Sequence, residues 1–184
     1  SFQELEKLNA VKVKNQYFAL RHGEAQHNLK DMVGPVKPRV SNTSHLTLKG
    51  RVQVEQVAKK LLKMDIDLIF SSDLARARET AKIVSGVIKQ PIFYSKELRD
   101  YNVGIFQGKT VKEFHKNFSS HIEQFDKVVP QGESWNQVRK RMVDFVAGLD
   151  KKYRSKKILI VSHGDPLWLL ETFTDGLSGE EAIV

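Results

Sequence analysis

The sequence predicts an α/β protein, a three-layer α/β/α sandwich around a mostly parallel central sheet. Two short apolar runs, Tyr17–Leu20 and Ile158–Val161, each lead into a residue followed by a His-Gly pair. Buried strands of parallel sheets have this short and continuously apolar character. Segments with helical periodicity alternate with such runs, as a parallel sheet with crossover helices requires. The 184 residues are expected to form one domain, 1–184.

The first half of the chain is predicted to contain a helix or N-terminal arm at 1–14, a strand at 16–20, a helix at 48–64, a strand at 67–70 and a helix at 73–89. The arm is inferred from the helical spacing of Phe2, Leu5 and Leu8. Ser72 or Asp73 is the expected cap of the helix at 73–89, because short polar side chains satisfy the free N–H groups of a first turn.

The second half is predicted to contain a strand at 92–94, helices at 111–125 and 134–153, a strand at 157–161 and a helix at 166–174. The helix at 134–153 has the clearest apolar face, formed by Val138, Met142, Phe145, Val146 and Leu149. Pro166 suits the first turn of the last helix. The final strand and helix therefore flank the second His-Gly pair.

Composition excludes several classes of protein. Hydrophobic residues make up 40% and charged residues 28%, which is ordinary for a globular chain. No apolar run approaches the roughly 20 residues of a membrane helix, and the first residues lack the pattern of a signal peptide. Cysteine is absent, which excludes disulfides, thiolate metal ligands and a cysteine nucleophile. This fits a reducing cytoplasm, where we expect the protein to act.

The chain is basic, with a formal charge of +8 from 30 basic and 22 acidic residues. This charge fits either a solvated surface or the attraction of an anionic substrate. The basic residues are scattered apart from Lys151–Lys157, where a predicted helix ends and cations are favourable in any case. Nucleic-acid binding is therefore not expected. The chain starts at Ser1, and we expect either a processed chain or a segment of a longer protein; the pattern indicates no oligomeric state.

The two His-Gly pairs indicate one ligand site. Ligands bind at the carboxyl ends of the strands in open α/β sheets, so His22 and His163 are expected to face each other across one pocket. Arg21 precedes the first histidine, and Arg76 lies in the first turn of a predicted helix, where an anion is favoured. Guanidinium groups bind phosphate bidentately. A neutral imidazole can attack phosphorus, which makes His22 the candidate nucleophile.

Further motifs follow in order along the chain. They are Arg21-His22-Gly23-Glu24 with Asn28, Leu46-Thr47-Leu48-Lys49-Gly50 with Gln53, Ser71-Ser72-Asp73-Leu74-Ala75-Arg76-Ala77-Arg78-Glu79-Thr80-Ala81, Leu98-Arg99-Asp100 with Gly104 and Gly108, Gly132-Glu133-Ser134, and Ser162-His163-Gly164. With this ordered set, the chain resembles branch 1 of the histidine phosphatase superfamily, and the resemblance implies a phosphoglycerate mutase-like fold.

The resemblance also implies a phosphomonoesterase that hydrolyses a small phosphorylated substrate through a phosphohistidine on His22, without a cofactor, a metal or a membrane. Asp100 would be the general acid and base, at a position where relatives carry glutamate. Because aspartate is one methylene shorter, Glu97 stays an alternative, with Glu24 and Asp165 as weaker candidates. The implied phosphate ligands are Arg21, His22, Asn28, Arg76, His163 and Gly164. The other histidines, His27, His45, His115 and His121, are expected on the surface or in loops.

Departures from the family pattern keep two other functions open. Ala25 stands where many relatives have threonine, and Gln107 stands where glutamate is common. One alternative is phosphotransfer of the phosphoglycerate mutase type, although those enzymes carry extra segments for which the stretch between Asp100 and His163 leaves little room. The other is a catalytically weak phosphate-binding regulatory module. The long basic connection at 24–46 is expected to border the pocket, since loops of this length are usually functional.

Overall fold

A five-stranded sheet forms the centre of the computed structural model. Its strands are β1 (Phe2–Leu8), β2 (Val11–Arg21), β3 (Leu68–Ser72), β4 (Ile92–Ser95) and β5 (Lys157–Ser162). They lie in the order β1-β2-β5-β3-β4, with all neighbours parallel except β1, which is antiparallel to β2. The structure describes residues 2–8, 11–33, 44–179 and 181–183, with side chains from Val13 onward.

Helices cover both faces of the sheet, and the alternation of side chains along β5 shows how. The helices are α1 (Leu48–Leu61), α2 (Ala75–Ile88), α3 (Val111–His115), α4 (Trp135–Lys152) and α5 (Gly164–Thr174). Ile158 and Ile160 belong to the buried cluster that includes side chains of α4 and α5. Leu159 and Val161 belong to the opposite cluster, which includes side chains of α1 and α2. The predicted three-layer fold is therefore confirmed.

The N-terminal segment was expected to be a helix or arm, and this prediction is wrong. Residues 2–8 form β1, and β2 begins at Val11 rather than at residue 16. The pairing register shifts between Leu5 and Lys7. The extra residues at this shift lie in β2, so the shift does not account for the apolar spacing of β1. Pairing of its backbone with the edge of β2 makes the segment a strand, and such long-range pairing overrides local periodicity.

The helix expected at 111–125 is broken. α3 ends at His115, and a separate 3-10 helix runs from His121 to Phe125. Between them, the N–H and hydroxyl of Ser119 both donate to the carboxylate of Glu123. Serine favours such local bonds over a continuous helix. The break separates two segments that both contribute to the cavity described below.

The predicted cap of the helix at 73–89 is also wrong, because α2 begins at Ala75 with Leu74 as its N-cap. The two polar candidates have other partners. The Asp73 carboxylate accepts two hydrogen bonds from the Arg99 guanidinium, at 2.7 and 2.6 Å. The Ser72 hydroxyl contacts His163. Among the helices of the described ranges, none is long and apolar enough to cross a membrane.

Candidate active site

Three parallel strands end at the same edge of the sheet and bring the predicted residues together. His22 directly follows β2, His163 directly follows β5, and Arg76 lies in the first turn of α2, after β3. The imidazole rings of His22 and His163 have their centroids 5.1 Å apart and are inclined at 61°. The N-termini of α2 and α5 both begin at this edge, where free N–H groups favour an anion.

The hydrogen bonds of His22 assign its reactive nitrogen. Its Nδ1 lies 2.7 Å from the carbonyl oxygen of Gly23, which can only accept a hydrogen bond. Nδ1 therefore carries the proton, and Nε2 keeps its lone pair. The Arg76 Nε–H donates to this Nε2 over 3.2 Å. The ring is thus held with an unprotonated nitrogen toward the centre of the site.

The surroundings of His163 favour the opposite tautomer. The Ser72 hydroxyl accepts from the N–H of Leu74 and lies 2.9 Å from His163 Nε2, to which it can also donate its proton. Because the Asp100 carboxylate is the charged group nearest to the other nitrogen, the imidazole proton is assigned to Nδ1. His163 Nδ1 is buried without a hydrogen-bond partner and lies 3.6 Å from the Asp100 carboxylate. The two rings therefore present a lone pair and an N–H donor to one site.

Arg76 is fully buried and links two of these groups. Besides its bond to His22, its guanidinium donates to the Asp100 carboxylate over 2.8 Å. A buried cation needs such a partner, because removal of a charge from water is costly. Thr80 of the same helix holds the segment that follows β2, since its hydroxyl donates to the Arg76 carbonyl and accepts from the Gly23 N–H.

Burial keeps both imidazoles neutral. His22 is 6% exposed and His163 fully buried. Desolvation, followed by the positive charge of Arg76, holds the pKa of each ring well below 6.5. His27 lies beside them, with its ring centroid 5.9 Å from that of His22, and burial lowers its pKa to about 4. The Nε2 atom of His22 therefore stays unprotonated over a wide range of pH.

The position of Asp100 is fixed by Arg141 on α4, a residue that sequence reasoning missed. The Arg141 guanidinium donates to the carbonyl oxygens of Glu97 and Asp100, at 2.7 and 3.0 Å, and pairs with Glu133. These bonds hold the loop so that the Asp100 side chain lies at Arg76 and His163. Glu97 contributes a backbone carbonyl and is not among the cavity-lining residues, so the structure brings Asp100 rather than Glu97 to the site.

Arg21 and Asn28, two further predicted phosphate ligands, line the cavity that also contains Asp100. Arg21 is exposed, and its guanidinium carbon lies 3.6 Å from the position that a Cβ atom on Gly164 would occupy. Asn28 lines the same cavity, with its amide oxygen accepting from the Ala25 N–H and its amide nitrogen donating to His27. A Cβ atom at position 164 would thus make ordinary van der Waals contact with the guanidinium of Arg21.

Two cavities meet at His22. One, of about 530 Å³, lies against α1 and includes Gln53 and Val57 in its lining. The other, of about 400 Å³, has Asp100 in its lining and extends away from the sheet edge. Several residues that sequence reasoning missed or placed on the surface or in loops line this second cavity; they are His27, Tyr101, His115, His121, Gln124 and Trp135. Asp165, a weaker candidate for the general acid and base, also lines it.

The long connection at 24–46 was expected to border the pocket. Within its described part, Met32 and Val33 line the second cavity, while residues 34–43 lie outside the described residues. His45, expected on the surface or in a loop, pairs with Glu79 of α2 and is half exposed. Among the side chains that the structure describes, no three histidine, aspartate or glutamate residues lie close enough together to hold a metal ion.

Comparison with known proteins agrees with this geometry. Residues 17–182 match the family described as the histidine phosphatase superfamily (branch 1). The chain belongs to this superfamily. Its similarity to a probable phosphoglycerate mutase GpmB of Escherichia fergusonii is 30% identity over 167 residues, which cover 88% of this chain and 75% of that protein.

Solved structures have the same fold. Bacillus stearothermophilus YhfR aligns with a TM-score of 0.79 at 27% identity. The alignment covers 91% of the present chain and 83% of YhfR. The α-ribazole phosphatase from Shigella flexneri aligns with a TM-score of 0.77 at 26% identity, over 91% and 83%. The superfamily and these relatives indicate an enzyme of the phosphatase or mutase type.

Proposed function

We propose that the protein is a phosphomonoesterase that hydrolyses a small phosphorylated substrate through a phosphohistidine on His22. The observation that carries this proposal is the complementary pair of tautomers. His22 offers a lone pair at Nε2, and His163, with its ring centroid 5.1 Å away, offers an N–H at Nδ1. A nucleophile and a donor for the phosphoryl oxygens are what transfer of a phosphoryl group requires.

In the first step, the lone pair of His22 Nε2 attacks phosphorus while the bond from phosphorus to the ester oxygen breaks. Asp100 donates its proton to that departing oxygen, which leaves as an alcohol. Asp100 is suited to this role because it lines the cavity at the side where the leaving group would lie.

In the second step, the Asp100 carboxylate takes a proton from water, and the water oxygen attacks phosphorus. The P–N bond breaks, inorganic phosphate is released, and His22 regains its lone pair. Arg76 and Arg21 supply positive charge to the phosphoryl oxygens during both steps. The Arg76 guanidinium, which pairs with Asp100, exchanges that carboxylate for phosphate oxygens as the substrate binds.

Similarity to a probable phosphoglycerate mutase supports phosphotransfer as a second candidate. The two reactions share the phosphohistidine and differ in what accepts the phosphoryl group, which is water in one case and a bound phosphoglycerate in the other. Assays of free phosphate release and of 2- and 3-phosphoglycerate interconversion on one preparation separate them. Interconversion faster than phosphate release would favour the mutase.

The test of the phosphohistidine is His22→Ala, assayed with p-nitrophenyl phosphate. We expect loss of hydrolysis with the fold retained, because the substitution removes the nitrogen that would attack phosphorus. His45→Ala is the matched control, since His45 lies outside the cavity lining and pairs with Glu79. An acid-labile phosphate trapped on the wild type and absent from His22→Ala supports the proposal. Full activity in His22→Ala refutes it, and phosphate binding without turnover in the wild type favours the regulatory module.

A further inference from the structure

We infer that His27 is a positioning residue for the reaction, because its imidazole holds the Asn28 amide in the orientation that leaves an N–H for the phosphoryl group. This inference rests on the proposed function, since it adds a residue that acts through a ligand of the same phosphate site. His27 was expected on the surface or in a loop, and the two chemical steps described above do not use it.

Asn28 lies beside the proposed nucleophile. The two cavities that meet at His22 share three lining residues, which are Arg21, His22 and Asn28. A phosphoryl group bound at His22 would therefore lie close to the Asn28 side chain. An amide N–H that donates to an ionised oxygen makes one of the stronger hydrogen bonds found in proteins.

Two hydrogen bonds fix the orientation of the Asn28 amide. Its Oδ1 accepts from the Ala25 N–H over 2.9 Å, so the atom on the other side of the amide must be the nitrogen. This Nδ2 lies 3.2 Å from His27 Nε2, to which it donates one of its two N–H groups. Within the described part of the chain the second N–H has no acceptor, and it is the donor that remains for a phosphoryl oxygen.

His27 can accept this bond in only one of its two neutral tautomers. Because Nε2 accepts from Asn28, the imidazole proton is on Nδ1. His27 Nδ1 lies 2.7 Å from the Ser44 hydroxyl oxygen, which also accepts from the backbone N–H of His27 over 3.3 Å. Burial, followed by the positive charge of Arg76, lowers the pKa of His27 to about 4, so the ring is neutral and accepting at neutral pH.

The position of Ser44 is fixed by the segment that follows it. Ser44 is buried, at 3% exposure. The carbonyl oxygen of His45 accepts from the Gln26 N–H over 3.0 Å, and Leu46 pairs with Ala25 in an antiparallel bridge. The hydrogen bonds therefore form one chain, from the Ser44 hydroxyl through the imidazole to the amide at the phosphate site.

Titration calorimetry with inorganic phosphate tests this chain of bonds without requiring turnover. Asn28→Ala should weaken the binding of phosphate by roughly tenfold or more, because a hydrogen bond to a charged group is lost. His27→Phe keeps an aromatic ring but has no acceptor, and it should weaken binding by roughly threefold to tenfold. The double variant should bind phosphate no more weakly than Asn28→Ala alone, because His27 acts only through the amide.

Two further variants separate positioning from a structural role. His27→Gln retains an acceptor for the amide and should recover most of the affinity that His27→Phe loses. His45→Phe is the matched control, because it is the same substitution in the same segment and the His45 ring pairs with Glu79 on α2. We expect His45→Phe to leave the Kd for phosphate unchanged.

Nitrogen NMR of the wild type with labelled histidine measures the tautomer without any change at position 27. We expect a protonated Nδ1 and an unprotonated Nε2, with the signals assigned by their absence from His27→Gln. Ser44→Ala removes the acceptor of Nδ1. It should increase the share of the opposite tautomer and weaken phosphate binding by roughly twofold to fivefold.

An unchanged Kd in His27→Phe, losses that multiply in the double variant, or a proton on Nε2 of His27 in the wild type would each overturn the inference. An equal loss of affinity in His45→Phe would do the same, because it would indicate a general loosening of this segment. Phosphate release by the wild type is measured separately. The expected affinities without release would support the role of His27 and refute the phosphatase, whereas release with an unchanged Kd in His27→Phe would do the reverse.

Discussion

Asp100→Asn is the most informative single substitution, because Asp100 is both the counter-charge of Arg76 and the proposed proton donor. Asp100 is the partner of Arg76, and the guanidinium of Arg76 is fully buried while the Asp100 side chain is 20% exposed. The substitution keeps the shape and an oxygen acceptor but removes the negative charge. The buried Arg76 cation then loses the negative charge of this partner.

The expected loss of stability can be worked from this geometry. Two unit charges with centres about 4 Å apart attract by about 4 kcal/mol at an effective dielectric constant of about 20. The partial exposure of Asp100 and the hydrogen bond that asparagine retains reduce the loss to about 2 to 3 kcal/mol. For a chain of 184 residues, this corresponds to a decrease in Tm of about 4 to 12 °C.

Inorganic phosphate should relieve this loss, because its charge replaces that of the carboxylate at Arg76. A ligand at a hundred times its Kd stabilises by about 2.7 kcal/mol, and the gain should be larger in Asp100→Asn than in the wild type. Differential scanning calorimetry with and without phosphate measures both shifts. An unchanged Tm in Asp100→Asn, or equal stabilisation of both proteins by phosphate, would refute the reasoning.

The same variant tests the proton donor. Hydrolysis of an alkyl phosphate should slow by roughly 10²- to 10⁴-fold, because an alkoxide leaves only with a proton. Hydrolysis of p-nitrophenyl phosphate should slow far less, since nitrophenolate is a stable anion. Glu97→Gln is the control and should alter neither rate. Equal losses on both substrates would count against Asp100 as the acid.

Two further predictions concern stability. Gly50→Ala should destabilise the fold and lower activity, because the added methyl would lie 2.1 Å from the Glu24 carbonyl oxygen; Gly148→Ala on α4 meets nothing within 4 Å and should stabilise by about 0.5 to 1 kcal/mol in urea titrations. Lowering the pH from 7.5 to 5 should reduce the free energy of unfolding, because the unfolded chain binds more protons at imidazoles whose pKa folding lowers; these are His22, His27, His115 and His163. The raised pKa of Asp165 opposes this for one group against four, so greater stability at pH 5 would contradict the assignment.

The sequence was sufficient to predict that His22, His163 and Arg76 lie together at one edge of the sheet. His22 and His163 follow buried strands directly, and the edge at which parallel strands end is fixed once the strands are parallel. Arg76 is one turn into a helix that follows a third strand. These positions depend on local patterns and on a general rule of topology, so no knowledge of long-range packing was needed.

The rest depends on contacts between distant segments. Arg141 is one of several basic residues on α4, and its bonds to the Asp100 loop follow from how that helix packs rather than from its neighbours in the chain. Tyr101, Gln124 and Trp135 come from irregular segments and a helix end. β1 is a strand because its backbone pairs with the edge of β2, and the periodicity of its own side chains does not predict that pairing.

The origin of the groups around His22 has a practical consequence for engineering. The side chains assigned to phosphate chemistry come from the ends of strands and the segments that follow them, whereas about half of the second cavity's lining comes from residues 101–135. A graft of that stretch from a homologue, with Arg141 kept to anchor its start, would exchange selectivity and retain the reaction. Such chimaeras offer a route to new catalysts that leaves the sheet untouched.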